Sequence, residues 1–407
     1  MSIELYTTLL YWCFGIAVLF GAISNASNFC TMGAVSDWVN MGDLNRMRAW
    51  LLAMATALAG VLAMEYFDAL DMGLTTSNDS ASPPYRAPLF NWPRHLLGGL
   101  LFGIGMTLAS GCGSKTLVRL GGGNGKSIVV LAALGSASWL MIFTSFDHWV
   151  FLRWMEPLAI DLASRGGDSQ ELGAVLAMLL GSDSADALHL GLGALLAALL
   201  FYWVLRSAEF RGESRLLFAG LAIGAMVAGL WYLTAGPLGL ELLEELDFAD
   251  QRPYAAGAQS LTFIAPTAHA AQYLLEGFAP GYLTLSLMLL AGTFVGSLLY
   301  AALSRSFRFE WFRDGGDFAN HVIGGLLMGV GGVLGLGCTV GQGISGVSSL
   351  ALGSIVTVLS IVLGCALAMK YRYYRLLYEE SSRLDAALTS LADLHLLPAG
   401  LRRLDPL

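Results

Sequence analysis

The sequence predicts an all-α polytopic membrane protein of about nine transmembrane helices plus re-entrant half-helices, arranged as two inverted-topology repeats. Three observations predict this. Of 407 residues, 56% are hydrophobic and 13% charged, and the mean hydropathy is +0.64, an excess that only long apolar spans absorb. The stretch HLLGGLLFGIGMTLASGC, from His95 to Cys112, recurs without gaps 226 residues later as HVIGGLLMGVGGVLGLGC, from His321 to Cys338, with ten of the eighteen positions identical. Finally, Lys and Arg mark alternate span ends in a way that makes the two copies run in opposite directions.

Spans are expected at about residues 5–24, 47–68, 95–110, 127–146, 185–205, 215–235, 282–303, 320–336 and 349–369. The N-terminus lacks a basic segment and a cleavage pattern, so the first span is expected to remain in the membrane. Arg46 and Arg48, the group Lys115, Arg119 and Lys126, the group Arg206, Arg211 and Arg215, the group Arg305, Arg308 and Arg313, and finally Lys370, Arg372 and Arg375 all fall on one side. That side is the cytoplasm under the basic-residue rule, which puts the N-terminus outside and the C-terminus inside. Between the first two spans, Ser24–Asn45 is polar and both its ends face the cytoplasm, so it reads as re-entrant; Ala258–Leu274 is its expected counterpart, with a surface amphipathic turn as the alternative for either. Residues 71–92 and 147–183 read as external loops, and Glu241–Arg252 as an acidic interfacial helix. Residues 1–370 thus form one membrane transport domain, with repeats at about 1–150 and 185–370. Residues 371–407 follow as a cytoplasmic amphipathic tail, its apolar residues at helical spacing.

Each repeated stretch carries a G-x-x-x-G, Gly99 to Gly103 and Gly325 to Gly329, which lets helices approach closely within lipid. Each then breaks at a cysteine, with Gly111 and Gly113 around Cys112, and Gly335, Gly337 and Gly341 around Cys338. Broken helices in corresponding positions point to a binding site near the membrane midplane. Cys13 and Cys365 lie inside ordinary spans, where a free thiol packs as a small hydrophobe. Cys30, Cys112 and Cys338 sit in polar or Gly-rich breaks, beside helix N-termini whose N–H groups attract anions. A neutral thiol there donates a weak S–H hydrogen bond to a polarisable atom, so the expected site is dry, soft and positive in potential, suited to a small sulfur oxyanion. We therefore expect Cys30, Cys112, Cys338, Gly111, Gly113 and Gly337 to bind substrate.

Other chemistries fit less well. LGGGNGKS, ending at Lys126-Ser127, has Leu120 where a phosphate loop needs glycine, and it opens a membrane helix. The six histidines show no metal-ligand spacing, and the cysteines form no C-x-x-C, so neither metal nor cofactor is expected. A net charge of −8 with no basic patch argues against nucleic acid. The expected partners are the sulfur anion and membrane lipid.

SNFCTMGAV around Cys30, ASGCGSKT around Cys112 and GLGCTVGQGISG around Cys338 resemble the motifs of the YeeE/YedE family of sulfur-transport membrane proteins, over nearly the whole chain to about residue 370. The resemblance implies an inner-membrane thiosulfate importer shaped as an hourglass of inverted repeats, with Cys112 and Cys338 as the central relay and Cys30 toward the cytoplasmic exit. It also implies a TusA-like cytoplasmic sulfur carrier as partner, and it admits other sulfur or selenium species as substrate. A membrane thiol oxidoreductase is the rival reading, although such chemistry favours close cysteine pairs. A scaffolding protein would leave the polar re-entrant segments without a purpose.

Overall fold

The computed structural model describes residues 2–182, 184–248, 253–378 and 380–405. Among them, nine helices are long and apolar enough to cross a membrane, as the hydropathy pattern requires. In chain order the main helices are α1 (Ser2–Ala26), α2 (Thr31–Met41), α3 (Asn45–Tyr66), α4 (Trp92–Leu108), α5 (Gly113–Gly121), α6 (Lys126–Phe143), α7 (Leu172–Leu180) and α8 (Ala185–Leu205). They continue with α9 (Ser214–Ala235), α10 (Pro237–Asp247), α11 (Ala265–Leu275), α12 (Leu285–Leu303), α13 (Gly315–Leu334), α14 (Leu352–Leu377) and α15 (Arg383–Asp393). A π-helical turn, Gly341–Gly346, lies between α13 and α14.

Neighbour relations come in exchanged pairs. Matching α1, α2, α3, α4, α5 and α6 to α9, α11, α12, α13, the Gly341–Gly346 turn and α14 carries the packing of α1 on α12 into that of α9 on α3. The same exchange carries α4 on α14 into α13 on α6, α5 on α12 into the turn on α3, and α6 on α11 into α14 on α2. The α4–α13 and α1–α9 contacts map onto themselves. Four spans on each side leave α8 unmatched. Its single crossing turns the second set upside down relative to the first, because an even number of spans would otherwise return the chain in the same sense.

Glycines set the central crossing. A Cβ added at Gly98 would lie 2.4 Å from the Gly335 backbone nitrogen, and one at Gly324 would lie 2.6 Å from that of Ala109. Gly99 and Gly103 press equally closely on α14, as Gly325 and Gly329 do on α6. The G-x-x-x-G pairs therefore clamp each broken helix between two partners.

The segments expected to be re-entrant are short helices of equal length, α2 and α11. The loop at 147–183 is partly helical. In α7, Glu171 caps the first turn by accepting from the Gly173 and Ala174 N–H groups, and Gly181 ends the helix in a left-handed conformation. The acidic helix is α10, and the part of its expected span from residue 249 lies outside the described residues. The tail helix α15 lies on α14, where Asp393 is held by Tyr374, Arg402 and Lys370.

A buried ionic cluster ties these elements together. Glu65 at the end of α3 pairs with Arg86 Nη2 at 2.9 Å and with His189 Nε2 of α8 at 2.9 Å, while His189 Nδ1 lies 2.8 Å from Glu171. Burial alone would raise the Glu171 carboxyl, but His189 and the two capping N–H groups hold it below the usual carboxylate range. Arg86 Nε donates to the Ser349 carbonyl at 2.9 Å, and Gln170 Oε1 accepts from the Gly353 N–H at 3.1 Å, so the cluster fixes the chain that leads from Cys338 into α14. Arg86→Met leaves Glu65 with His189 alone and the Ser349 carbonyl without its arginine donor; thermal and denaturant unfolding in detergent should show a loss of about 3–5 kcal/mol.

Candidate functional site

Three breaks share one backbone design. Two residues before each cysteine, a non-glycine residue takes a left-handed conformation: Asn28 before Cys30 (φ 53°), Ser110 before Cys112 (φ 58°) and Leu336 before Cys338 (φ 58°). Such a conformation is uncommon for Asn and Ser and an outlier for leucine. It turns the chain sharply, so that each cysteine is followed at once by a new helical segment: α2 after Cys30, α5 after Cys112, and the π-helical turn a little beyond Cys338.

The thiols are free and buried. Cys30 Sγ accepts from the Gly33 N–H at 3.4 Å, and Cys338 Sγ accepts from the Gly341 N–H at 3.4 Å. Each sulfur is thus an acceptor toward its own helix, which leaves the S–H to donate elsewhere. Cys112 makes no such capping bond; its Sγ lies 3.3 Å from Ser114 Oγ. Cys365 sits within α14, bonded by Thr107 Oγ1 at 3.3 Å and packed behind Gly103. Cys13 is buried within α1.

The glycines divide the work. The Gly111 N–H bonds to the Met106 carbonyl at 2.9 Å, and the Gly337 N–H to the corresponding Gly332 carbonyl at 2.7 Å. Both amides are committed to closing the preceding helix, so what these two residues contribute is the path of the chain. Gly113 lies at the start of α5, where helix geometry supplies no internal partner for its N–H.

Arginines satisfy the carbonyls that the breaks orphan. Arg94 donates from Nε to Leu334 at 2.7 Å and from Nη2 to Val333 at 3.1 Å, Arg119 to Ser110 at 2.7 Å, and Arg372 to Thr107 at 3.2 Å. The broken ends are capped by fixed positive charge, which makes the surroundings favourable to an anion. A cavity of about 210 Å³, lined among others by Asn78, Arg94, Thr262, Ile264, Leu336 and Gly337, reaches the Cys338 segment from the face that carries residues 78–84. On the opposite face a cavity of about 230 Å³ is lined by Asn25, Lys115, Arg119 and Arg308. Lys126, the phosphate-loop candidate, is paired with Asp317 at 2.8 Å.

A family profile described as sulphur transport matches residues 26–367, a span that contains all three breaks. The chain belongs to the sulphur-transport family. This is the YeeE/YedE family that the cysteine motifs resemble, and it comprises transport proteins rather than enzymes. The chain is 26% identical over 344 residues to a protein of Escherichia coli strain K12 named thiosulfate transporter TsuA, covering 80% of this chain and 84% of that one. It is 25% identical over 359 residues to a Spirochaeta thermophila protein of the same name, covering 86% and 94% respectively.

Sequence reasoning singled out the three cysteines but not the arginines that cap the broken ends. The arginines sit at span ends, where they look like topology signals. Replacing Arg94 with Gln leaves a buried carbonyl without its donor. We expect a loss of about 1–3 kcal/mol in detergent unfolding, together with faster hydrogen exchange at 333–337.

Proposed function

We propose that this protein carries thiosulfate, or a closely related small sulfur anion, inward across a bacterial inner membrane along a path relayed by Cys338, Cys112 and Cys30 in that order. The observation that carries the proposal is the recurrence of one geometry at three buried free thiols, each at a helix break and each beside helical N–H groups, in a member of the sulphur-transport family. The substrate reading draws on the two relatives named as thiosulfate transporters. The repeats run over about 1–150 and 214–370, with α8 between them and outside both, and the chain beyond α14 forms a cytoplasmic tail. The basic span ends put the N-terminus outside and the C-terminus in the cytoplasm. The cavity at Arg94 then faces outward and the one at Lys115 inward, where a TusA-like sulfur carrier collects the product.

A dianion moving into a cell with a negative interior works against about 4.6 kcal/mol per 100 mV, twice the value for one charge. One tight site would hold the ion against that field, whereas several weak sites at successive depths let it step. Thiols suit such steps: the S–H donates a hydrogen bond without adding a charge that the departing ion must leave. Gly111, Gly113 and Gly337 shape the breaks that hold these thiols in place.

Uptake of labelled thiosulfate into proteoliposomes is the direct test. Cys112→Ala and Cys338→Ala should each abolish most uptake while the protein stays folded, and Cys13→Ala and Cys365→Ala should be near neutral. Cys→Ser at 112 and 338 should lose thiosulfate transport, because oxygen is harder and less polarisable; serine variants at the wild-type rate would assign selection to the backbone amides instead. A reporter inserted near Ser80 should read periplasmic and one at the C-terminus cytoplasmic, and the reverse pattern would invert the direction of the path.

A further inference from the structure

The exchange of the two halves assigns a partner to every break. The residue immediately before α2 is Cys30, and the residue immediately before α11, a helix of equal length, is Ile264. The four matched positions, three at breaks and one ahead of α11, therefore carry three thiols and one branched hydrocarbon. We propose that Ile264 is the apolar gate that closes the path between the Arg94 cavity and Cys112. This rests on the reading of the thiols as the path.

Ile264 is 2% exposed, and its side chain faces two compartments. On one side it lines the cavity shared with Arg94, Thr262 and Gly337. On the other it reaches Gly113, the residue after Cys112: a Cβ added there would lie 3.6 Å from Ile264 Cδ1. Its seat is made by a glycine, since a Cβ at Gly332 would come within 2.7 Å of Ile264 Cγ1. Phe263, stacked on Phe20 at 5.4 Å, and Leu134 pack beside it on the Gly113 side. The position is anchored by its own backbone, whose carbonyl accepts from Thr267 Oγ1 at 2.7 Å and from the Thr267 N–H at 3.1 Å. A β-branched side chain in helical backbone has few rotamers, so the closed state is the resting one. An apolar constriction of this kind excludes water and hydrated ions by dewetting. A thiol at the same place would instead offer the ion another step, which accounts for the departure from the threefold pattern: three sites bind and the fourth position bars.

The test does not depend on transport. A membrane-impermeant methanethiosulfonate is applied to each face of the reconstituted protein in turn, and modification is located by peptide mass. From the cavity side, Ile264→Ala should raise modification of Cys112 about tenfold over the native chain, and Ile264→Leu should leave it unchanged. Ile264→Cys should itself be modified from the cavity side and not from the other. A folded Ile264→Ala protein that labels at the native rate overturns the gate, as does a Cys at 264 that the reagent does not reach. The second variant decides the matter even where the alanine variant fails to fold. Failure of thiosulfate uptake by the native protein would instead overturn the substrate reading and leave these labelling results standing.

Discussion

Backbone polar groups cannot stay unpaired where water is excluded, and the rest of this structure is arranged around that constraint. An unbroken span satisfies its own N–H and C=O groups. A span that breaks at a cysteine does not, and it opens both a carbonyl end and an N–H end inside the protein. Here the carbonyl ends are taken by Arg94, Arg119 and Arg372, and by Gln342 Nε2 on the Gly335 carbonyl at 2.7 Å. The N–H ends are left to the cysteines and to whatever binds beside them. Partition of the two ends in this way leaves N–H groups beside the cysteines, and the proposed anion path rests on them.

The glycine crossing follows from the same need. Two breaks serve one path only if they meet, and α4 and α13 meet because Gly98, Gly105, Gly324 and Gly331 remove the side chains that would hold them apart. The outer elements then act as a frame. The Glu65, Arg86, Glu171 and His189 cluster holds the segment after Cys338 from the side of the unmatched helix α8, so this added span both inverts the second half and braces its break.

Much of this was readable from residues alone, and the reasons are specific. The His95–Cys112 and His321–Cys338 repeat showed the duplication because the glycines that pack it and the cysteines that break it have no substitutes. The spans were plain from hydropathy, and Leu352–Leu377 ran longer than expected because Tyr and Arg continue a helix past the apolar stretch as readily as Leu does. What stayed hidden depends on partners distant in sequence. Arg94 is joined to Leu334 across 240 positions, and Glu171 to His189 only once two loops and a helix have packed. The sequence matched the segment of Ile264 to that of Cys30 but not the two residues, which are unlike and share only their place before a helix.

The central claim is that the thiols of Cys112 and Cys338 contact the transported ion. Protection measures this most directly: the rate at which each cysteine is alkylated in the reconstituted protein is followed with and without saturating thiosulfate, with sulfate as the control for charge and shape. The account predicts that thiosulfate slows alkylation at both positions and sulfate does not. A protein that takes up thiosulfate while its Cys112 and Cys338 alkylate at unchanged rates would contradict it.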